Sequence, residues 1–321
     1  MTDTTRPKRY RMVSKYYKET YGEKVYKLPV ALPLTCPNRD GSAGVGGCTF
    51  CGEIGAGYEN RPAWMTVRMQ LEENIAHIGP KYKAKKFIPY YQNFSNTYLN
   101  LDDFKSYIEQ GCIDEALGIA IATRPDCIAD EYLEILADIR KRFQKDIYIE
   151  LGLQTVNYET LEKINRGHDL AQFIDAVLRI KRYGFNITTH MIVNLPWDTM
   201  KDTIEGARIL SALGVDQVKL HALYIVKNTL MAKWYQEGQF TLISAEEYAD
   251  RVVNFVRHLH PDIVLQRLVG RAPEDNTLFT NWSMGWWRVQ DLIDDKLDEL
   301  DAHQGDLCDY LNGKAVRKFI D

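Results

Sequence analysis

The chain has no apolar run approaching the roughly 18 residues that a membrane-crossing helix needs, which argues against an α-helical membrane protein. Its opening, Met1 to Lys8, is polar and does not read as a secretory leader. A cytoplasmic location, with no membrane partner, is the expectation. Excess positive charge is also missing: 40 Lys and Arg stand against 44 Asp and Glu, for a net charge of −4 and a pI near 6. No global field therefore draws the chain to nucleic acid. Repeats and low-complexity segments are absent, and cysteine is scarce, with six in 321 residues. In a reducing compartment so few thiols do not build a disulfide framework, and any that cluster favour metal binding.

What is present is an ordinary globular composition, 45% apolar and 26% charged. The length allows about two domains or one large barrel. Three of the six cysteines cluster: Cys36, then Cys48, then Cys51, with Gly41, Gly44, Gly46, Gly47, Gly52, Gly55 and Gly57 around them. Glycine lets a backbone wrap closely around a buried group. Thiolates suit zinc or iron-sulfur clusters, and a C-x2-C pair brings two sulfurs to one centre. A structural zinc site wants four ligands, whereas three leave a position open for a small molecule. A zinc loop is the alternative at this point. Cys112, Cys127 and Cys308 are scattered and read as small buried hydrophobes.

Along the chain, helical and extended patterns alternate. A helix over Tyr10 to Tyr21 precedes strands at Val25 to Leu32, Lys86 to Gln92, Leu117 to Thr123, Ile147 to Leu153, Ile187 to Leu195 and Gln217 to Ile225. Between them lie helices over Val67 to Ile78, over Leu101 to Gln110 and around Tyr132, Ile135, Leu136 and Ile139. Two more are announced by capping boxes, Asp169 with Gln172 and Thr199 with Asp202, and are closed by Gly184 and Gly214. Six strands separated by helices demand parallel pairing and right-handed crossovers, so the class is α/β. Beyond Gln236 the pattern changes: a helix over Glu246 to His258, a strand-like run Ile263 to Leu268, then Trp282, Trp286 and Trp287 before an acidic helix. These tryptophans read as core anchors. Lys8, Arg9, Arg11, Lys15 and Lys18 interleave with Tyr10, Tyr16 and Tyr17, and Lys81, Lys83, Lys85 and Lys86 form a second basic knot. Such residues track a phosphate backbone or simply form a solvated helix face.

The cysteine loop after the first strand resembles the cluster loop of the radical S-adenosylmethionine (SAM) enzymes, with eleven residues in the first gap where three are common. The long gap together with Tyr91-Gln92-x-x-x-Asn96-Thr97, Thr123-Arg124-Pro125-Asp126 and Gln154 followed twelve residues on by Arg166 is similar to the YhcC/YtqA-like proteins. These are relatives of the Elongator catalytic subunit and of oxygen-independent coproporphyrinogen oxidase. Leu195-Pro196-Trp197 matches the family's fifth-strand motif except that Trp197 replaces a glycine.

The resemblance implies an incomplete six-stranded (βα)6 TIM-like barrel over residues 25–235, an N-terminal helical extension over 1–24, and a C-terminal α/β extension or cap over 236–321. It implies that Cys36, Cys48 and Cys51 hold a 4Fe-4S cluster and that Phe50 lies against the adenine of SAM. Gln92, Asn93 and Asn96 would meet its amino group, and Arg124 would lie near the ribose. Gln154 and Arg166 form the SAM-binding pair, an amide for hydroxyls and a guanidinium for the methionyl carboxylate. His190 stands where the family often has a ribose-binding acid. Lys219 with Glu150 would be catalytic, a buried ion pair without chemistry being the alternative. The implied function is reductive cleavage of SAM to a 5′-deoxyadenosyl radical that modifies a tRNA base, with an electron donor such as flavodoxin or ferredoxin. The alternatives are a porphyrinogen or other small-metabolite oxidase and, from another class, a non-enzymatic zinc-stabilised binding module.

Overall fold

Strand residues that alternate large and small set the architecture. In Ile119-Ala120-Ile121-Ala122 the isoleucines pack outward among helices, while the alanines face an interior they leave roomy. A computed structural model describes residues 7–53, 55, 57, 59–271 and 276–320; the polar opening Met1 to Arg6 lies outside them. The chain runs α1 (Val13–Tyr21), β1 (Val25–Val30), α2 (Pro37–Asp40), α3 (Val67–Tyr82), β2 (Lys86–Tyr91), α4 (Leu101–Gln110) and β3 (Gly118–Thr123). Then come α5 (Asp130–Phe143), β4 (Asp146–Gln154), α6 (Tyr158–Lys163), α7 (Leu170–Arg182), β5 (Asn186–Ile192), α8 (Met200–Leu213) and β6 (Gln217–His221). The remainder is β7 (Ile225–Val226), α9 (Leu230–Gln236), α10 (Ala245–His258), β8 (Val264–Arg267), β9 (Thr277–Phe279) and α11 (Trp286–Glu299).

The main sheet is parallel throughout, in the order β1-β2-β3-β4-β5-β6-β8. It is a curled half-barrel with helices outside. The expected six strands are joined by a seventh, β8, which pairs with the edge of β6 and so covers backbone groups that edge would leave open. The sixth strand ends at His221, short of the expected Ile225, which pairs instead with Phe279 in a two-stranded antiparallel ribbon. Both capping boxes form, at Asp169 with Gln172 and at Thr199 with Asp202. The outer core joins Phe87, Ile149 and Leu220 of the sheet to helix residues such as Phe104, Leu136, Phe173 and Phe255, all fully buried or nearly so. Each large side chain so buried contributes about 1.5–3 kcal/mol.

α1 stoppers the barrel at the N-terminal ends of the strands. It packs against β8 and β1, the two edges of the sheet, and Leu265 N–H donates to Arg11 O at 2.8 Å. Tyr17 is buried edge-on against Tyr148, with ring centroids 6.2 Å apart, in an interior cluster with Ile88, Tyr90 and Ala120. The neighbouring basic residues are consumed inside the molecule: Lys8 pairs with Asp294, Arg9 with Asp298 and with Asp301 at 2.8 Å, and Arg11 Nη1 donates to Asp262 O at 2.7 Å. The acidic α11 lying opposite is the reason. Of the three tryptophans read as core anchors only Trp282 is one, donating from Nε1 to Ile243 O at 2.7 Å; Trp286 and Trp287 are 38% and 41% exposed. No described helix is long and apolar enough to cross a membrane.

Candidate active site

Parallel barrels gather their chemistry at the C-terminal ends of the strands. There a cavity of about 420 Å³ opens, lined by Cys36, Cys48 and Cys51 on one side and by side chains of six strands on the others. The cysteine loop begins in α2, with Pro37 in the first turn, and its far end is stitched to the turn after α6. Thr49 N–H donates to Ile164 O at 3.0 Å, Asn38 Nδ2 to Asn165 O at 2.6 Å, and Asn165 Nδ2 to Gly47 O at 2.8 Å. A methyl group on Gly167, whose φ is +73°, would stand 2.5 Å from Asn38 Oδ1, so glycine is required for that seam.

All three thiols are free. Cationic and amide groups reach them: Arg166 Nη1 lies 3.4 Å from Cys48 Sγ, Asn38 Nδ2 3.6 Å from the same sulfur, and Arg39 Nη2 3.4 Å from Cys51 Sγ. Burial and the neighbouring Cys48 push the Cys51 thiol up, against the pull of Arg39. Among the described residues no three His, Cys, Asp or Glu side chains converge tightly enough to hold a single metal ion. A cube of iron and sulfide asks for something else, one thiolate at each of three corners, and soft sulfur ligands with hydrogen-bond donors around them fit it.

Around the thiols, Phe50, Gln92, Arg124, Gln154, Arg166 and His190 line the cavity. Arg166 is buried, donates Nη2 to Gly152 O at 2.7 Å, and leaves its Nε without a partner. Gln154 follows a bulge in β4 and takes a positive φ of 79°, which lifts it out of the strand's alternation. Arg124 is already matched: its guanidinium grips Asp126 bidentately at 2.9 and 2.7 Å, so no further carboxylate is needed there. Asn93 and Asn96 depart from expectation, since neither lines the cavity. Asn93 bonds the backbone of Leu32, and Asn96 Nδ2 donates to the carbonyls of Tyr91, Asn93 and Ala122. The irregular turn after β2 needs those partners for its own buried backbone. A smaller apolar recess of about 120 Å³ opens beside Phe50, between Ile192, Ala222 and Leu223.

The floor is a buried ionic cluster. Glu150 of β4, fully buried, pairs with Lys27 of β1, with His190 Nε2 of β5 at 2.7 Å and with Lys219 of β6 at 3.4 Å. Burial pushes the Glu150 carboxyl up, but Lys219, Lys27 and His190 outweigh it and hold the group well below the usual carboxylate range. Burial, with Lys219 nearby, pushes His190 down to about 4. Lys219 also lies 4.7 Å from the centre of the Tyr90 ring. Lys27, Arg39 and Tyr90 escaped sequence reasoning. A lysine inside the apolar run Val25-Tyr26-Lys27-Leu28 was the available signal, although a lysine on an edge strand is equally compatible with a solvent-facing position.

A curled parallel sheet, a cavity at its C-terminal mouth and a three-thiol loop after the first strand define a partial barrel whose cavity is of the kind a thiolate-held cluster would occupy. Residues 37–210 match the Radical SAM superfamily and residues 215–299 the Radical_SAM C-terminal domain. The chain is 32% identical over 312 residues to the uncharacterized protein YtqA of Bacillus subtilis, covering 96% of each. It is 32% identical over 282 residues to Protein YhcC of Escherichia coli, covering 87% of this chain and 89% of that one. Among solved structures, Elp3 of the archaeon Methanocaldococcus infernus superposes with a TM-score of 0.66 at 13% identity, covering 87% of this chain and 64% of that one. The chain belongs to the radical SAM superfamily. It is a radical SAM enzyme, and the cofactors of that family are a 4Fe-4S cluster and SAM.

Proposed function

We propose that Cys36, Cys48 and Cys51 hold the cluster and that SAM occupies the cavity beside them, with its adenine in the apolar recess against Phe50. The observation that carries this is the convergence of three free thiols and the half-satisfied Arg166 on one cavity. The bound cluster and SAM supply one-electron reductive cleavage of the sulfonium, yielding a 5′-deoxyadenosyl radical that takes a hydrogen atom from substrate. The protein's part is orientation. Arg166 offers its guanidinium to the methionyl carboxylate, Gln154 an amide to hydroxyls, and Gln92 a carbonyl to the amino group. His190 reaches the ribose side from β5 while holding a proton on Nε2 toward Glu150. Lys219 faces the substrate, steadied by Glu150 and Tyr90.

For the substrate, the Elongator-like segments support a tRNA base. A small acidic metabolite is the second reading, favoured because Arg267 inside the cavity meets a histidine ring and no carboxylate among the described residues, while Lys8 and Arg9 near the N-terminus are paired with Asp294 and Asp298. Anaerobic reduction with SAM, scored for 5′-deoxyadenosine, tests the function. Product is expected with native Cys48 and none with Cys48→Ala, which should also bind no iron; cleavage retained by that variant would remove Cys48 from the site. Stimulation by bulk tRNA, weakening steeply with salt, supports the first substrate. Stimulation only by a small-molecule extract supports the second.

A further inference from the structure

Three cations face the barrel floor, Lys27, Lys219 and Arg267, against the single carboxylate of Glu150. That carboxylate is saturated: Lys27 takes Oε1, and His190 and Lys219 take Oε2. Arg267, arriving on β8, reaches it only through two rings. Its Nη2 donates to His221 Nδ1 at 2.6 Å, and its Nε is buried with no partner. An arginine accepts nothing, so His221 must be bare at Nδ1 and carry its proton on Nε2, 3.2 Å from His190 Nδ1. His190 in turn carries its proton on Nε2, 2.7 Å from Glu150. Both rings are thereby neutral, and among the described residues no anion touches Arg267. A half-buried cation whose inner Nε has no partner and whose company is a neutral ring is costly unless something else neutralises it.

We propose that Arg267, together with Lys219, seats an oxyanion of the substrate, a carboxylate or a phosphate monoester. The inference rests on the reading of the cavity as a SAM-cleaving site. SAM's own carboxylate is accounted for by Arg166, which stands beside Cys48 with Nη1 and approaches from the turn after α6. Two incompletely satisfied guanidinium groups in one cavity fit two acidic ligands, one on SAM and one on the molecule it acts upon. Burial pushes the Lys219 ammonium down to about 7, and an arriving oxyanion would favour its charged form. Arg271, exposed at the rim of the same cavity, extends the positive path outward.

Calorimetric titration with inorganic phosphate and with succinate, under anaerobic conditions, tests the seat. It is run on cluster-loaded protein saturated with SAM and on cluster-free protein. One of the two probes is expected to bind once per chain with SAM present, and which one binds identifies the acidic group. Arg267→Gln should weaken that binding by about tenfold or more, and Arg267→Lys, which keeps the charge, should recover part of it. Circular dichroism on each variant checks that it folds. Displacement of the probe by SAM would assign the seat to SAM and overturn the proposal. So would equal binding by Arg267→Gln, or no binding of either probe to native protein below about 10 mM, a strength under 3 kcal/mol. Native protein that takes up no iron would refute the SAM reading instead, and the cluster-free titration would still score the seat.

Discussion

Gly152 shows how tightly the cofactor residues constrain one another. It sits on β4 with its carbonyl receiving Arg166 Nη2 at 2.7 Å and His168 Nε2 at 3.0 Å. A methyl group there would stand 2.8 Å from both Arg166 Nη2 and Gln154 Nε2. Both are ends of flexible side chains, so the backbone survives, but the two proposed SAM ligands must swing aside. Gly152→Ala is expected to weaken SAM binding by about tenfold, the worth of one charge-assisted hydrogen bond, with little change in melting temperature. Equilibrium dialysis with labelled SAM measures this, and unchanged affinity would detach Arg166 from the carboxylate. The convergence of the three cysteines on one cavity was legible because it depends on local spacing. Gln154 and Arg166 were legible as a pair twelve apart. Asn93 and Asn96 misled because an amide that feeds a turn's backbone and one that feeds a ligand look identical in sequence. Lys27 gained its meaning only through Glu150, more than a hundred residues away, whereas Arg267 and Arg271 read from the sequence either as grips for an anionic substrate or as surface arginines, and it is the contact of Arg267 with His221 that separates the two for Arg267.

The helices and strands themselves were largely legible, since capping boxes and apolar periodicity act within a few residues. What periodicity could not supply is which element meets which. β8 was visible as a run of strand formers, but its place beside β6 follows from an open edge elsewhere in the chain. α1 is a similar case. Its basic and aromatic residues read either as a surface for nucleic acid or as a solvated helix face; Lys15 and Lys18 are exposed, while Tyr17 faces inward to the barrel's foot and Tyr21 bonds Tyr148 and Asp146 through its hydroxyl. The helix is therefore a structural stopper. Tyr17→Ala should remove about 3–5 kcal/mol of stability, as large aromatic deletions in well-packed cores do, and should leave the iron-binding capacity of folded protein intact. Urea unfolding followed by circular dichroism gives the first number. A loss under 1 kcal/mol would mean that α1 rests on the barrel without sealing it.

At the scale of the whole molecule, burying so many ionisable groups around one cavity makes stability depend on pH. Burial pushes His168 down to about 2 and His190 down to about 4, and holds His221 well below the ordinary value of 6.5. Each is neutral in the fold, yet each takes a proton in the unfolded chain once pH drops under 6.5. Between pH 6.5 and 4 the unfolded state thus binds about three more protons, and stability falls with pH by roughly 1.4 kcal/mol per unit for each. Asp198 opposes this. Burial raises it from 3.8 to about 6, so the fold holds a proton there that the unfolded chain releases, and acid favours the fold by one proton over about pH 6 to 4. Three against one leaves two, a net loss of at most roughly 3 kcal/mol per pH unit as pH falls from 6 to 4, which the buried Asp216 carboxyl, raised in the same sense as Asp198, reduces. Urea unfolding of cluster-free protein at pH 7.5, 6 and 5 should show stability falling gently to about pH 6.5, as Lys219 takes up its proton in the fold near pH 7, and then dropping steeply. Stability that held constant or rose between pH 6 and 5 would mean that the histidines are charged in the fold. The donor chain from Arg267 to Glu150 would then be wrong, because a protonated His221 has no bare nitrogen to receive the arginine.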